Sequence, residues 1–156
     1  MRGKRAKKRE IKLDRKYSNP IIARFISKVM LDGKKSLSEA LVYSAIESGA
    51  EAVKEKDVVA FVDKAIDNVR PALEIKARRV GGANYQVPVP VSPKRQEVLA
   101  VRWIVDAARK KSGKSFDEIL KDLLIDSYKG EGDAVKKKEE VERMAEANKA
   151  FAHFRW

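Results

Sequence analysis

Apolar residues along this 156-residue chain recur first with the period of a helix, then with the period of a strand, then with the period of a helix again. Ser18, Asn19 and Pro20 form a helix start, because Asn supplies a capping oxygen and Pro a preset φ where its missing N–H costs nothing. Ile22, Phe25, Ile26, Val29 and Met30 follow at i, i+3, i+4 spacing, and Asp32-Gly33 is the stop signal. Ser36 with Glu39 has the spacing of a capping box and opens a second helix, carrying Leu37, Ala40, Leu41 and Ala45 to about Val53, with Gly49 as a weak point inside it. Asp57 caps a third, in which Val58, Phe61, Val62, Ala65, Ile66 and Val69 form an unbroken stripe ended by Arg70-Pro71.

From Ala72 the period falls to 2. Leu73, Ile75 and Ala77 alternate with Glu74, Lys76 and Arg78; Gly81-Gly82-Ala83-Asn84 has turn chemistry; Tyr85, Val87, Val89 and Val91 alternate on the return. This predicts a β-hairpin over 72–91. Pro88 and Pro90 lie two apart and so lack donors on one edge, which bars a third strand there. The expected object is an isolated ribbon reaching about 30 Å. Two strands alone are marginal in water, so something must support them, and a bound polyanion is one candidate.

Ser92-Pro93 starts a fourth helix, to about Lys111, with Val98, Val101, Val105 and Ala108 along one stripe. Ser115 and Glu118 again have capping-box spacing, followed by Phe116, Ile119, Leu120, Leu123 and Leu124 and the breakers Gly130 and Gly132. A last helix from near Asp133 carries Val135, Val141, Met144 and Ala145 and fades into Phe151, Phe154 and Trp156. The fold class expected is mainly α: a single domain of about six helices over 17–156 with a protruding two-stranded β-hairpin arm, preceded by a basic tail, 1–16, expected to be disordered.

Charge changes this picture from a fold to a surface. The chain carries 35 Lys and Arg against 23 Asp and Glu, a net charge of +12, with a pI near 9.9, and such a surplus attracts polyanions. It is localised: +7 over residues 1–16, −1 over 17–69, +8 over 70–114 and −2 over 115–156. With no cysteine, disulfide frameworks, cysteine nucleophiles and thiolate metal sites are excluded. No apolar run approaches the roughly 18 residues of a membrane span, and the start of the chain lacks the apolar stretch of a signal peptide, so neither a membrane nor secretion is expected.

Catalytic chemistry finds little footing. His153, the one histidine, has no cysteine or spaced carboxylate pair near it, and neither G-x-G-x-x-G nor the Walker pattern occurs. The carboxylates sit mostly at helix starts and on polar faces, where capping and solvation explain them. No catalytic residue, metal ligand, cofactor or small-molecule substrate is expected. The cations are better placed. Arg95, Arg102 and Arg109 are seven apart and so share a helix face, Lys110, Lys111 and Lys114 extend that helix, and Arg78 and Arg79 precede the hairpin turn. A guanidinium can grip phosphate bidentately and stack on an exposed base. Lys136–Lys138 can bind RNA or pair with Glu139 and Glu140. Tyr85 reads equally as a base-stacking or a cross-strand packing residue, and the C-terminal aromatics read more readily as packing groups.

The segments RRVGGANYQVPV (Arg78–Val89), LAVRWIVDAARK (Leu99–Lys110), MAEANKAFAHFRW (Met144–Trp156) and RFISKVMLDGKKS (Arg24–Ser36) together resemble the bacterial-type family of small-subunit ribosomal protein seven, in order and over nearly the whole chain. The resemblance implies a six-helix domain with a protruding ribbon, located in the cytoplasm within the small ribosomal subunit, which binds the 3′ major domain of 16S rRNA and nucleates assembly of the head. It implies rRNA contact at Arg2, Lys4, Arg5, Lys7, Lys8 and Arg9 of the tail, and at Lys34, Lys35, Arg78, Arg79, Lys94, Arg95 and Arg102; Arg109, Lys110, Lys111 and Lys114 complete the basic set. It places the ribbon tip, Gly81, Gly82, Ala83, Asn84 and Tyr85, near the exit-site tRNA. It assigns the aromatic end, Phe151, Phe154 and Trp156, to a protein partner, with platform protein eleven and head protein nine as neighbours.

Two other readings fit parts of the pattern. Helices plus a basic, proline-bearing arm also describe architectural proteins that wedge the minor groove of DNA, although here the prolines lie at the base of the ribbon and not at its tip. An enzyme acting on nucleic acid would need a site that the residues do not offer.

Overall fold

A computed structural model describes Gly3 and residues 12–154. Six α-helices, one two-stranded ribbon and a short 3₁₀ turn follow one another: α1 Pro20–Val29, α2 Lys35–Val53, α3 Val58–Val69, β1 Leu73–Val80, β2 Ala83–Pro90, α4 Pro93–Lys110, α5 Phe116–Lys129, α6 Asp133–Ala147, and a 3₁₀ helix at Lys149–Phe154. The mainly α single-domain expectation holds. The apolar stripes of α1, α3, α4 and α5 converge on one cluster in which Phe25, Phe61, Ile66, Ile104, Leu120 and Leu124 are fully buried. Gly49, read from sequence as a weak point of α2, is a close-approach site: a Cβ there would lie 3.0 Å from the ring of Phe61 on α3.

Most element ends match their local signals. The Asn19 side chain accepts from the backbone of Ile21 and Ile22 at 2.7 and 3.3 Å, and Asp57 accepts from Val59 at 2.9 Å. The two capping boxes do not form. Helix α2 begins at Lys35 behind Lys34, so Ser36 is already inside the first turn, and Glu39 pairs with Lys35 at 3.4 Å. Ser115 does precede α5, but its side chain caps no backbone N–H and hydrogen-bonds the Asp117 carboxylate instead. Helix α1 stops at Val29, short of Asp32-Gly33, where positive φ values of 51° and 72° turn the chain into α2.

The body extends upstream of the first helix. Asp14 is buried and accepts from the backbone of Lys16 at 3.1 Å, Tyr17 at 2.7 Å and Asn19 at 2.6 Å, while the Tyr17 hydroxyl donates to Glu47 of α2 at 2.7 Å. The charge boundary at residue 16 therefore does not coincide with the edge of the packed body.

The ribbon turns on two residues only. Val80 pairs with Ala83, so Gly81 and Gly82 alone form the turn, both at positive φ, and Ala83 and Asn84 are already strand. This register puts Pro88 opposite Ile75 and Pro90 opposite Leu73. Counting alternate pairs from the hydrogen-bonded pair at the turn places both prolines in non-hydrogen-bonded pairs, where an N–H would point away from β1. They cost the ladder nothing and close its outer edge, as their spacing predicts. The register also splits the apolar rows: Leu73, Ile75 and Ala77 face one side, Tyr85, Val87 and Val89 the other. The protein itself supports both. Helix α6 packs on β1, with Glu142 accepting from the backbone N–H of Ala72 at 3.1 Å. The 3₁₀ turn packs on β2, where Tyr85 meets Phe151 and Phe154 at ring separations of 5.2 and 5.1 Å. The support that the sequence left open, with a bound polyanion as one candidate, comes here from α6 and the 3₁₀ turn of the same chain.

Candidate nucleic-acid interface

Helix α4 is the axis of the basic surface. Its buried stripe of Ala100, Val101, Ile104, Val105 and Ala108 fixes which face is inward, and Arg95, Arg102 and Arg109 run along the outward face over 14 residues, about 21 Å. The three arginines meet different surroundings. Arg95 reaches Glu74 of β1 at 3.4 Å. Arg102 is exposed and has no hydrogen-bond or ion-pair partner among the described residues; it stands between two clefts. Arg109 donates to the Lys28 carbonyl at 2.9 Å, supplying a positive charge where the carbonyls of α1 end.

One cleft, about 400 Å³, lies between α1 and α4, with Arg24, Lys28 and Arg102 around Val98 and Val101. Lys28 is tied to Asp106 at 3.3 Å. Arg24 forms an ion pair with Glu97, whose other oxygen faces Arg70 at 3.5 Å, and Arg70 in turn holds Asp67 at 2.7 Å. Burial, and then the nearby Arg70 charge, lower the Arg24 pKa from its ordinary value. With 15% of its side chain exposed against 45% for Arg95, Arg24 is a cross-link between helices more than a free cation. The second cleft, about 430 Å³, lies between α4 and α6 and is lined by Arg102, Trp103, Lys110, Lys111 and Lys137, with Asp106 and Asp133.

Elsewhere the sequence-derived cations divide by what they already hold. Lys94, Lys110 and Arg79 are exposed and hold no hydrogen bond or ion pair among the described residues. Lys34 is 4.0 Å from Asp32, Lys111 is 3.2 Å from Asp133, and Lys114 is 2.8 Å from Asp122, which raises the Lys114 pKa and lowers that of Asp122. Such exposed pairs are screened by water and weak, so a phosphate competes with them readily. Lys34 and Arg109 share the rim of an apolar groove, about 390 Å³, that contains Leu31, Leu37 and Phe116.

On the ribbon, Arg78 pairs across with Tyr85 and Arg79 with Asn84, so consecutive arginines point to opposite faces. Tip residues Gly81, Gly82, Ala83 and Asn84 are exposed, while Tyr85 is partly covered by Phe151 and Phe154. His153 donates from Nδ1 to the Ala150 carbonyl, 2.8 Å away, and its ring lies tilted beside that of Phe154. Lys137 pairs with Glu140 at 2.7 Å, the local pairing that its spacing allowed, whereas Lys138 donates to the Asn68 carbonyl of α3 at 3.1 Å, a contact 70 residues apart in the chain. Arg2, Lys4, Arg5, Lys7, Lys8, Arg9 and Trp156 lie outside the described residues.

Sequence reasoning did not single out Arg24, Lys28 or Trp103 as site residues. Arg24 and Lys28 are four apart on the polar edge of α1, a signal available in the chain but not distinguishable there from ordinary solvated charge.

A surface with Arg and Lys spread over one helix face, two clefts and an exposed arm suits an extended, phosphate-bearing partner. The family model for Ribosomal protein S7p/S5e matches residues 1–149. The chain belongs to this ribosomal protein family. The small ribosomal subunit protein uS7 of Borrelia hermsii is 51% identical over 155 residues, covering 99% of this chain and 98% of that protein. Its counterparts in Nautilia profundicola and Eikenella corrodens are 52% identical over 156 residues and 51% identical over 155, each at or near full length of both chains. The family comprises structural constituents of the ribosome, not enzymes.

Proposed function

We propose that this protein is a structural constituent of the small ribosomal subunit that binds the 3′ major domain of 16S rRNA directly and nucleates assembly of the subunit head. The observation that carries the reading is the outward face of α4, where Lys94, Arg102 and Lys110 stand exposed with no hydrogen bond or ion pair among the described residues, above a fully packed core. Such cations release counterions from a phosphate backbone without first breaking protein contacts. The folded shape of the RNA selects the site. The basic residues of 1–16 add to the footprint by ordering on the same RNA. The ribbon tip, Gly81–Tyr85, serves the exit-site tRNA, and the aromatic C-terminal segment faces neighbouring small-subunit proteins, platform protein eleven and head protein nine.

Competition tests the RNA assignment. A folded 3′-domain transcript should remain bound in a large excess of duplex DNA, and displacement mole for mole by that DNA would return the architectural DNA-binding reading. Deleting residues 81–84 and rejoining the strands should leave helix content and rRNA affinity within about twofold while changing tRNA behaviour at the exit site. A large loss of rRNA affinity would make the tip an anchor instead.

A further inference from the structure

The cleft between α4 and α6 has a composition that phosphate binding alone does not require. Trp103, Asp106, Ala107 and Lys110 fall on one face of α4 at spacings of three, four and seven, and Asp133 and Lys137 face them from α6, four apart. Trp103 is half-buried: it packs against the core cluster and also forms a wall of the cleft, beside Ala107, whose single methyl group leaves room. Arg102 and Lys110 at the rim hold no hydrogen bond or ion pair among the described residues, Lys110 feeling only the more distant charge of Glu140. Asp106 and Asp133 each hold a lysine through one oxygen, Lys28 at 3.3 Å and Lys111 at 3.2 Å, and their second oxygens accept no hydrogen bond among the described residues.

We propose that this cleft receives one unpaired, amino-bearing base of the bound rRNA, stacked on Trp103, with its N–H edge toward the aspartates and its flanking phosphates toward Arg102 and Lys110. An indole beside cations is a platform for an unstacked base, and a carboxylate accepts only from bases that present N–H donors on an edge. Guanine, with two adjacent donor groups, suits it best, and uracil has fewer donors. The inference rests on the rRNA-binding reading and adds where on this chain a base is gripped.

Trp103 can report on the cleft. The chain has two tryptophans, so Trp156→Phe leaves Trp103 as the sole emitter. In that variant a 3′-domain transcript should quench Trp103 emission at the concentrations where filter retention reports binding. Fully paired duplex RNA should bind weakly and leave the emission unchanged, and the pentamer UUGUU should quench at several-fold lower concentration than UUUUU. Filling the cleft with Ala107→Leu should weaken transcript binding about tenfold, the low end for a lost stacked base, with the salt dependence unchanged because no charge is removed. A transcript that is retained but leaves Trp103 emission unmoved overturns the base site and spares the rRNA reading. Equal quenching by duplex RNA, equal response to the two pentamers, or quenching that needs another small-subunit protein also overturns it. A transcript that is not retained at all removes the rRNA reading and the base site with it.

Discussion

The α4 face and the ribbon are both basic, yet they hold their charges in different ways. On α4 the cations project from a helix whose inner face is fully buried, so their positions are set by the core; on the ribbon, consecutive arginines point to opposite sides of two strands that lean on α6 and the 3₁₀ turn. The helix face is a preorganised surface with a range of neutralisation, from Arg95 beside Glu74 to Arg102 with no hydrogen-bond or ion-pair partner among the described residues. The ribbon is an arm whose orientation is decided elsewhere in the chain. The lesson is that equal counts of Lys and Arg do not make equal binding surfaces: what matters is which cations are rigidly presented and not already engaged.

The largest break in this contrast should come from the core under α4. Ile104→Ala removes a fully buried side chain and should cost about 2–5 kcal/mol, seen as a Tm drop of several degrees by circular dichroism, with rRNA binding lost at temperatures where the wild type still binds. A drop of under one degree would mean that the α4 face does not depend on that packing.

Next, the free and engaged cations should separate on a salt series. Lys94→Ala with Arg102→Ala should weaken rRNA binding about tenfold at moderate salt and reduce the slope of log affinity against log salt by about one to two units. Arg95→Ala with Arg109→Ala should change the slope less, because those side chains already serve Glu74 and the end of α1. Equal slope changes in filter binding would erase the distinction.

A smaller, local effect is expected at Tyr85. Tyr85→Ala removes two ring contacts, each worth about 0.5–1.5 kcal/mol, so hydrogen exchange should speed up about tenfold or more along the ribbon and the 3₁₀ turn while α4 amides keep their protection. Faster exchange in α4 would show that the arm and the body unfold together.

The smallest concerns Glu47, whose carboxyl is held below its ordinary value of 4.5 by hydrogen bonds from the Lys16 ammonium and then the Tyr17 hydroxyl. A depressed carboxylate stabilises the fold fully above its unfolded-state value and loses that contribution as pH falls through the folded one. Glu47→Gln should therefore flatten the loss of Tm between pH 5 and pH 3.5, by well under 1 kcal/mol since both partners are about half exposed. An unchanged pH profile would assign the acid sensitivity to other carboxylates, among them Asp122 and Asp117.

Much of the fold was legible because its signals are local. Asn19, Asp57 and Gly130 mark ends that the structure keeps, and Pro88 and Pro90 announce a closed edge. Ser36 misled because a match of two residues cannot tell where a helix begins, and Lys35 enters the first turn ahead of it; Ser115 does mark the start of α5, but its hydroxyl turns to Asp117 and caps no backbone N–H. The candidate interface was legible as a charge distribution, through the seven-residue spacing of Arg95, Arg102 and Arg109, but not as a set of free groups. Trp103 was invisible as a cleft residue, since its other wall is α6, 30 or more residues away.

By itself the sequence determined six helical stripes, a glycine-led turn, a closed ribbon edge and two basic blocks, all of which depend on residues within about one turn of each other along the chain. Tertiary structure alone decided which cations are spent inside the protein, because their partners are remote: Arg95 meets Glu74 across 21 residues, Arg24 meets Glu97 across 73, and Arg109 meets the Lys28 carbonyl across 81. It also decided that the ribbon leans on its own chain's C-terminal aromatics, since a pair of strands has too little apolar surface to hold itself and must take support from whatever packing brings alongside.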